Sequence, residues 1–135
     1  MMSKLGILKY SLLVGAIYFA LVSIVHFVGF KVPILFVYFN VPSYPYQDRI
    51  ISFLAFGWAV FMFSGYLNPK NKELIMAILI AGFGAIAGLT IINLSTDFHN
   101  LSSQINITYF WIETIGLFAY VFWLVYFYYQ VFKNK

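Results

Sequence analysis

The residues that could support chemistry are few, and most fall near the same predicted end of the molecule. An ionisable side chain inside a bilayer is costly to bury, so each one is a candidate functional residue. At 1.5 Å per helical residue, His26 is expected about 6 Å below the outer surface and Glu113 about 7–8 Å below it. We therefore predict one polar cluster that opens outward, with six candidate ligand-binding residues: His26, Asp48, Arg49, Asn93, Asp97 and Glu113.

These residue types suit several kinds of site. Imidazole and carboxylate groups bind zinc or iron, so His26, Glu113 and Asp97 are candidate metal ligands, with Asp48 as an alternative to Asp97. The spacings H-x-x-E, H-E-x-x-H and E-x-x-H are absent. Proton coupling through Glu113 is a further hypothesis. The structural alternatives are a hydrogen-bonded His26, a helix-capping Asp48 and a Glu113 paired with Arg49.

Two cofactor chemistries are disfavoured. The chain has no cysteine, which excludes thiol–disulfide exchange. A bis-histidine haem would need His26 and His99 at one depth, but a straight third helix would separate them by about 13 Å along the membrane normal. The sequence indicates no other cofactor, and it leaves open whether the protein is an enzyme.

The amino-acid composition indicates the class of protein in which these residues are placed. The 135 residues are 63% hydrophobic and 22% aromatic, and only 9% are charged. Soluble domains have about 25% charged residues, and disordered chains combine low hydrophobicity with high net charge. The chain is therefore expected to be an integral membrane protein rather than a soluble, disordered or disulfide-stapled one.

Four segments are long enough to cross a membrane as helices, which takes about 20 apolar residues. Short connections make neighbouring helices antiparallel, so the prediction is an all-α integral membrane four-helix bundle forming one domain over residues 1–135. Small residues mark helix contacts in lipid; the third helix has the most, including Gly84 and Gly88, and is expected to be central. The predicted spans are 10–30, 50–67, 74–94 and 108–131.

Lysines predict the orientation of this bundle. Basic residues concentrate in cytoplasmic segments, and six of them lie in the two termini and the loop between spans two and three, which predicts an N-in/C-in topology. The net charge of +4 is thus a topology signal and indicates no nucleic-acid partner. The expected partners are the lipid bilayer and either another membrane protein or a second copy of the chain. Residue usage favours a bacterial cytoplasmic (inner) membrane. The six lysines are Lys4, Lys9, Lys70, Lys72, Lys133 and Lys135.

The outer segment at residues 32–46 is unusual because its VPILFVYF stretch is apolar but too short to cross the membrane. It is expected to lie in the headgroup layer or to fold back over the mouth of the bundle. The leading functional hypothesis is a binding or accessory subunit of a membrane complex that uses the outer polar pocket. The alternative is a membrane-embedded enzyme or proton-coupled carrier that uses His26 and Glu113.

Overall fold

Four long helices and one short helix make up the protein in a computed structural model that describes residues 3–133. Each of the four long helices is sufficiently long and apolar to span a membrane, which confirms the expected four apolar helices and indicates a multi-pass membrane protein. Lys135, which contributed to the predicted orientation, lies outside the described residues. The helices are α1 (Lys4–Val28), α2 (Pro45–Leu67), α3 (Lys72–Ser95), α4 (Phe98–Leu101) and α5 (Ile107–Phe132).

Local sequence explains where the helices begin and end. α2 begins five residues earlier than the predicted span at residue 50, because Pro45 suits the first helical position. The Gln47 side chain also accepts a hydrogen bond from the Tyr44 N–H at 3.0 Å. α1 ends at Val28, and the next residue, Gly29, caps the helix with a φ of 75°, which is easily reached without a Cβ. The early start of α2 places Asp48 inside the first helical turn rather than just before the helix.

Helix α1 makes the most extensive contacts, chiefly with α2 and also with α5, while α3 packs against α5 and less extensively against α2. The expectation that the third helix is the most central is therefore wrong. The shared core lies between the helices, and many large apolar side chains on their other faces are exposed, as a lipid-facing surface requires. The main core includes Leu8, Leu12, Met62, Ile75, Ile78, Leu79 and Leu124.

The small residues of α3 do not form its main contact face. A Cβ at Gly84 or Gly88 would meet nothing within 4 Å, so this part of the helix is open. Close approach occurs instead where one glycine faces a branched side chain: a Cβ at Gly82 would lie 2.9 Å from Val121. Glycine spacing alone could not show which of its faces α3 would use.

Residues 29–44, here called the covering segment, connect α1 to α2 and fold over one end of the helices. Tyr38 packs against Phe98 and Phe110, with ring centroids 5.7 and 5.0 Å away. These rings belong to a second apolar cluster formed with the loop between α3 and α5. The covering segment is therefore folded back over the helix ends.

Candidate functional site

The centre of the candidate site is a buried pair, His26 in the last turn of α1 and Asp48 in the first turn of α2. Only 1% of His26 and 7% of Asp48 is exposed. The imidazole Nδ1 and the carboxylate Oδ1 lie 3.9 Å apart, which is too far for a direct hydrogen bond. The two groups therefore face each other across a gap.

The covering segment encloses the imidazole from the opposite side. His26 Nε2 accepts a hydrogen bond from the backbone N–H of Val37 at 3.0 Å. The ring of Phe36 stacks on the imidazole with centroids 3.9 Å apart. Since Nε2 is the acceptor, the proton of a neutral imidazole is on Nδ1, the atom that faces Asp48.

Asp48 is only partly satisfied. Its Oδ2 accepts a hydrogen bond from the Ser43 hydroxyl at 3.0 Å, while its Oδ1 and His26 Nδ1 are buried without a hydrogen-bond partner. Ser23, one turn before His26 on α1, and Ser52, one turn after Asp48 on α2, form the next polar contact. Their hydroxyls lie 3.2 Å apart. Because most buried polar atoms are hydrogen-bonded, a facing donor and acceptor that both lack partners suggest a site for a polar group.

A cavity of about 470 Å³ adjoins Asp48 and is here called the Asp48 cavity. Its volume lies within the range of about 300–1,000 Å³ that is typical of small-molecule sites. None of the described residues that line it is basic. Its walls combine aromatic rings with a few polar side chains, among them Phe36, Tyr38, Phe98, Ser43, Gln47 and Thr96.

The remaining predicted site residues lie elsewhere. Asn93 is buried and donates to the Thr114 hydroxyl at 3.0 Å, joining α3 to α5. Asp97 is exposed and caps α4 through Asn100. Arg49 is exposed. The structure thus brings together only His26 and Asp48 from the predicted cluster.

Glu113 belongs to a different cavity, of about 350 Å³, between α1 and α5. Within residues 3–133, no hydrogen bond or ion pair joins Glu113 to His26 or to Arg49. The same part of the chain contains no group of three or more His, Cys, Asp or Glu residues that could hold a metal ion. The candidate metal ligands His26, Asp97 and Glu113 are therefore not assembled into one centre.

Sequence reasoning missed the residues that complete the surroundings of the buried pair. Val37 contributes a backbone N–H, which no side-chain pattern reveals. Phe36 was recognised only as part of an apolar stretch, whereas it is 1% exposed and covers His26. Ser23 had a readable signal, because a polar residue three positions before His26 lies on the same helix face.

Comparison with known proteins gives no family assignment: no protein-family model, curated protein or solved structure matches the chain. Any functional conclusion must therefore come from the geometry described above.

Proposed function

We propose that the protein is a binding or accessory subunit of a membrane complex and that it binds a small ligand in the Asp48 cavity. The observation that carries this proposal is the buried, unpartnered Oδ1 of Asp48 beside that cavity. An unsatisfied buried acceptor costs about 1–3 kcal/mol, and a ligand that donates a hydrogen bond to it would remove this cost.

The lining favours a ligand with an ammonium group on a small apolar or aromatic body. Among the described residues, no basic side chain lines the Asp48 cavity, so its carboxylate attracts a cation there. The rings of Phe36, Tyr38 and Phe98 offer apolar contact and cation–π attraction. An anionic ligand would face Asp48 without a compensating charge. The chemistry is therefore that of a small organic amine.

This ligand specificity can be tested on purified protein with four probes of one shape: benzylamine, benzyl alcohol, toluene and benzoate. We expect benzylamine to raise the thermal unfolding temperature most, benzyl alcohol and toluene less, and benzoate not at all. Asp48→Asn should remove the preference for the amine, because it removes the negative charge and keeps a similar shape. Asp97→Asn is the matched control, since Asp97 is an exposed carboxylate that does not line the cavity.

Equal stabilisation by all four probes, or an amine preference that survives Asp48→Asn, would refute the proposed specificity. Loss of the preference in Asp97→Asn as well would show that general surface charge, not the cavity, selects the amine. The full-length chain in detergent or nanodiscs is the material for both measurements.

The proposed setting is a bacterial cytoplasmic membrane, with an antiparallel bundle in N-in/C-in topology and the Asp48 cavity on the outer side. The lysine distribution supports this orientation. Since the chain has no cysteine, Ser103→Cys and Lys70→Cys give single reporters at exposed positions. An impermeant maleimide should label Cys at 103 in intact cells and Cys at 70 only after the membrane is opened; the reverse result would contradict the topology.

A neighbouring membrane protein or a second copy of the chain has room on α3, where the face around Gly84 and Gly88 is open. The alternative function, an enzyme or proton-coupled carrier using His26 and Glu113, has weaker support because these residues occupy separate sites. This alternative would be favoured if vesicles containing the protein took up protons without added ligand, and if His26→Leu and Glu113→Gln each abolished this uptake.

A further inference from the structure

A second cavity lies apart from the Asp48 cavity, between α1 and α5, and is here called the Glu113 cavity. It has a volume of about 350 Å³, and its walls are almost entirely apolar. On α5 it is lined by Glu113, Gly116 and Tyr120, which lie at helical spacing along one face. The cavity therefore runs from the second turn of α5 toward the middle of that helix.

The cavity is open to the side of the helices. Val14 on α1, and Ile112 and Gly116 on α5, line it and are exposed. In a membrane-spanning protein these positions face the hydrocarbon, so an apolar chain could enter laterally from the bilayer. Gly116 helps to keep the opening, since a Cβ there would meet nothing within 4 Å.

One carboxylate oxygen of Glu113 is the polar atom of this cavity that lacks a hydrogen-bond partner. The Tyr120 hydroxyl donates to the Ser11 carbonyl at 2.8 Å, and the Tyr18 hydroxyl donates to the Ile34 carbonyl at 2.9 Å. Glu113 Oε1, by contrast, is buried without a hydrogen-bond partner. At its end near the covering segment the cavity is thus lined by a carboxylate with one unpartnered oxygen, and its other walls are almost entirely apolar.

We propose that the Glu113 cavity binds a single-chain amphiphile with a hydroxyl head group, which donates a hydrogen bond to Glu113 while its tail lies along Gly116 toward Tyr120. This orientation matches that of a lipid in the bilayer, because the head group lies near the helix ends and the tail points toward the middle of the helices. A hydroxyl suits the site because it donates to a carboxylate without bringing a second charge into the membrane. A carboxylate head would be repelled.

The test uses dodecanol with a diazirine on its terminal carbon, added to the full-length protein in nanodiscs and photolysed. We expect labelled peptides from the inner halves of α1 and α5, near Val14 and Tyr120. Labelling should fall at least about tenfold in Glu113→Leu, a loss of about 1.4 kcal/mol of binding free energy or more, because leucine cannot accept the hydrogen bond from the hydroxyl. The matching diazirine dodecanoate should label these peptides much less than the alcohol.

Gly116→Leu provides an independent variant, because Gly116 lines the cavity and a Cβ there would meet nothing within 4 Å. A leucine that occupies part of the cavity should also reduce labelling. Gly84→Leu is the matched control, because Gly84 is equally open but lies on α3 and does not line the cavity. Undiminished labelling in both Glu113→Leu and Gly116→Leu, or equal labelling by alcohol and carboxylate, would overturn the proposal. Asp48→Asn should leave labelling unchanged. The result for the Glu113 cavity can therefore be distinguished from the result of the amine test at the Asp48 cavity.

Discussion

The imidazole of His26 accepts a hydrogen bond from the backbone N–H of Val37 at 3.0 Å, so the end of α1 directly holds the segment that covers it. The covering segment contains no helix of its own among its residues 29–44. It also includes Ile34, Tyr38 and Asn40 with positive φ angles, which are unfavourable for side chains other than glycine. Contacts such as this one must offset that conformational cost.

Replacement of His26 by leucine should therefore loosen the covering segment. The variant loses the acceptor for the Val37 N–H, a contribution of about 0.5–1.5 kcal/mol, so amide hydrogen exchange at Val37 should become faster by about 2- to 13-fold. The exchange of amides in the middle of α1 should change much less. His99→Leu is the control because His99 is exposed and takes no part in this hydrogen bond. Equal acceleration in both variants would contradict the assigned role of His26.

Tyr38 should titrate at unusually high pH. Burial, followed by the negative charge of Glu113, raises the pKa of Tyr38 from 10.0 to about 12. Because the pKa is raised in the folded state, the neutral phenol of Tyr38 contributes to the free energy of unfolding. This contribution is complete below pH 10.0 and is lost as the pH rises toward about 12. The difference in phenolate absorbance between the wild type and Tyr38→Phe should have its midpoint near the higher value.

Glu113→Gln should lower this Tyr38 midpoint only in part, because burial is the larger cause and the Glu113 charge the smaller one. A midpoint at the ordinary tyrosine value in the wild type would show that the covering segment does not bury the phenol. A full return to that value in Glu113→Gln would show that charge, not burial, is dominant.

The four spans were predictable because they depend on segment length and apolar content, which are properties of the sequence alone. The site was predictable only where local helix geometry determines it. His26 and Asp48 were placed near the same end from their distances to span boundaries, and they do face each other at 3.9 Å. Glu113 was assigned to the same level but lies in another cavity, since depth does not specify the direction in which a side chain points.

The parts that were missed depend on tertiary packing. The covering segment reaches His26 through a backbone N–H, a group that every residue except proline carries. Helix α3 has small residues on two faces, so its sequence allowed more than one packing arrangement. The structure leaves Gly84 open and packs Gly82 against Val121, a choice that depends on the neighbouring helices.

The contrast between these two glycines predicts opposite responses to alanine. At Gly82 a Cβ would lie 2.9 Å from a methyl group of Val121, and a β-branched side chain has little rotamer freedom to move away. Gly82→Ala should therefore destabilise the α3–α5 contact by about 1–3 kcal/mol. Gly84→Ala should be neutral or slightly stabilising, since alanine favours the helix by up to about 1 kcal/mol.

Unfolding of the two alanine variants in mixed micelles of increasing sodium dodecyl sulfate would measure this difference. The prediction concerns the order of stability, with Gly82→Ala below the wild type and Gly84→Ala at or above it. Comparable destabilisation of both would indicate that Gly84 also lies in a tight contact, such as an interface with another chain. That result would be incompatible with an open α3 face in the purified protein.

Asn93 and Thr114 provide the polar link between α3 and α5. Asn93 donates to the Thr114 hydroxyl at 3.0 Å, and this hydroxyl donates to the Phe110 carbonyl at 2.8 Å. Both side chains are buried. We expect Asn93→Leu and Thr114→Val each to reduce stability, and the double variant to lose less than the sum. The coupling should be about 0.6 kcal/mol and at most about 1.7 kcal/mol, as for hydrogen bonds between other membrane helices.

The double-mutant cycle of Asn93→Leu and Thr114→Val isolates this interaction because valine and leucine keep the approximate shapes of the replaced side chains. A matched cycle of Thr90→Val with Thr114→Val should give no coupling, because the Thr90 hydroxyl bonds to the Ile86 carbonyl within α3. Strict additivity in the Asn93 cycle would mean that the α3–α5 contact is held by apolar packing alone. A measurable coupling would instead show that the amide of Asn93 has a structural role in joining α3 to α5.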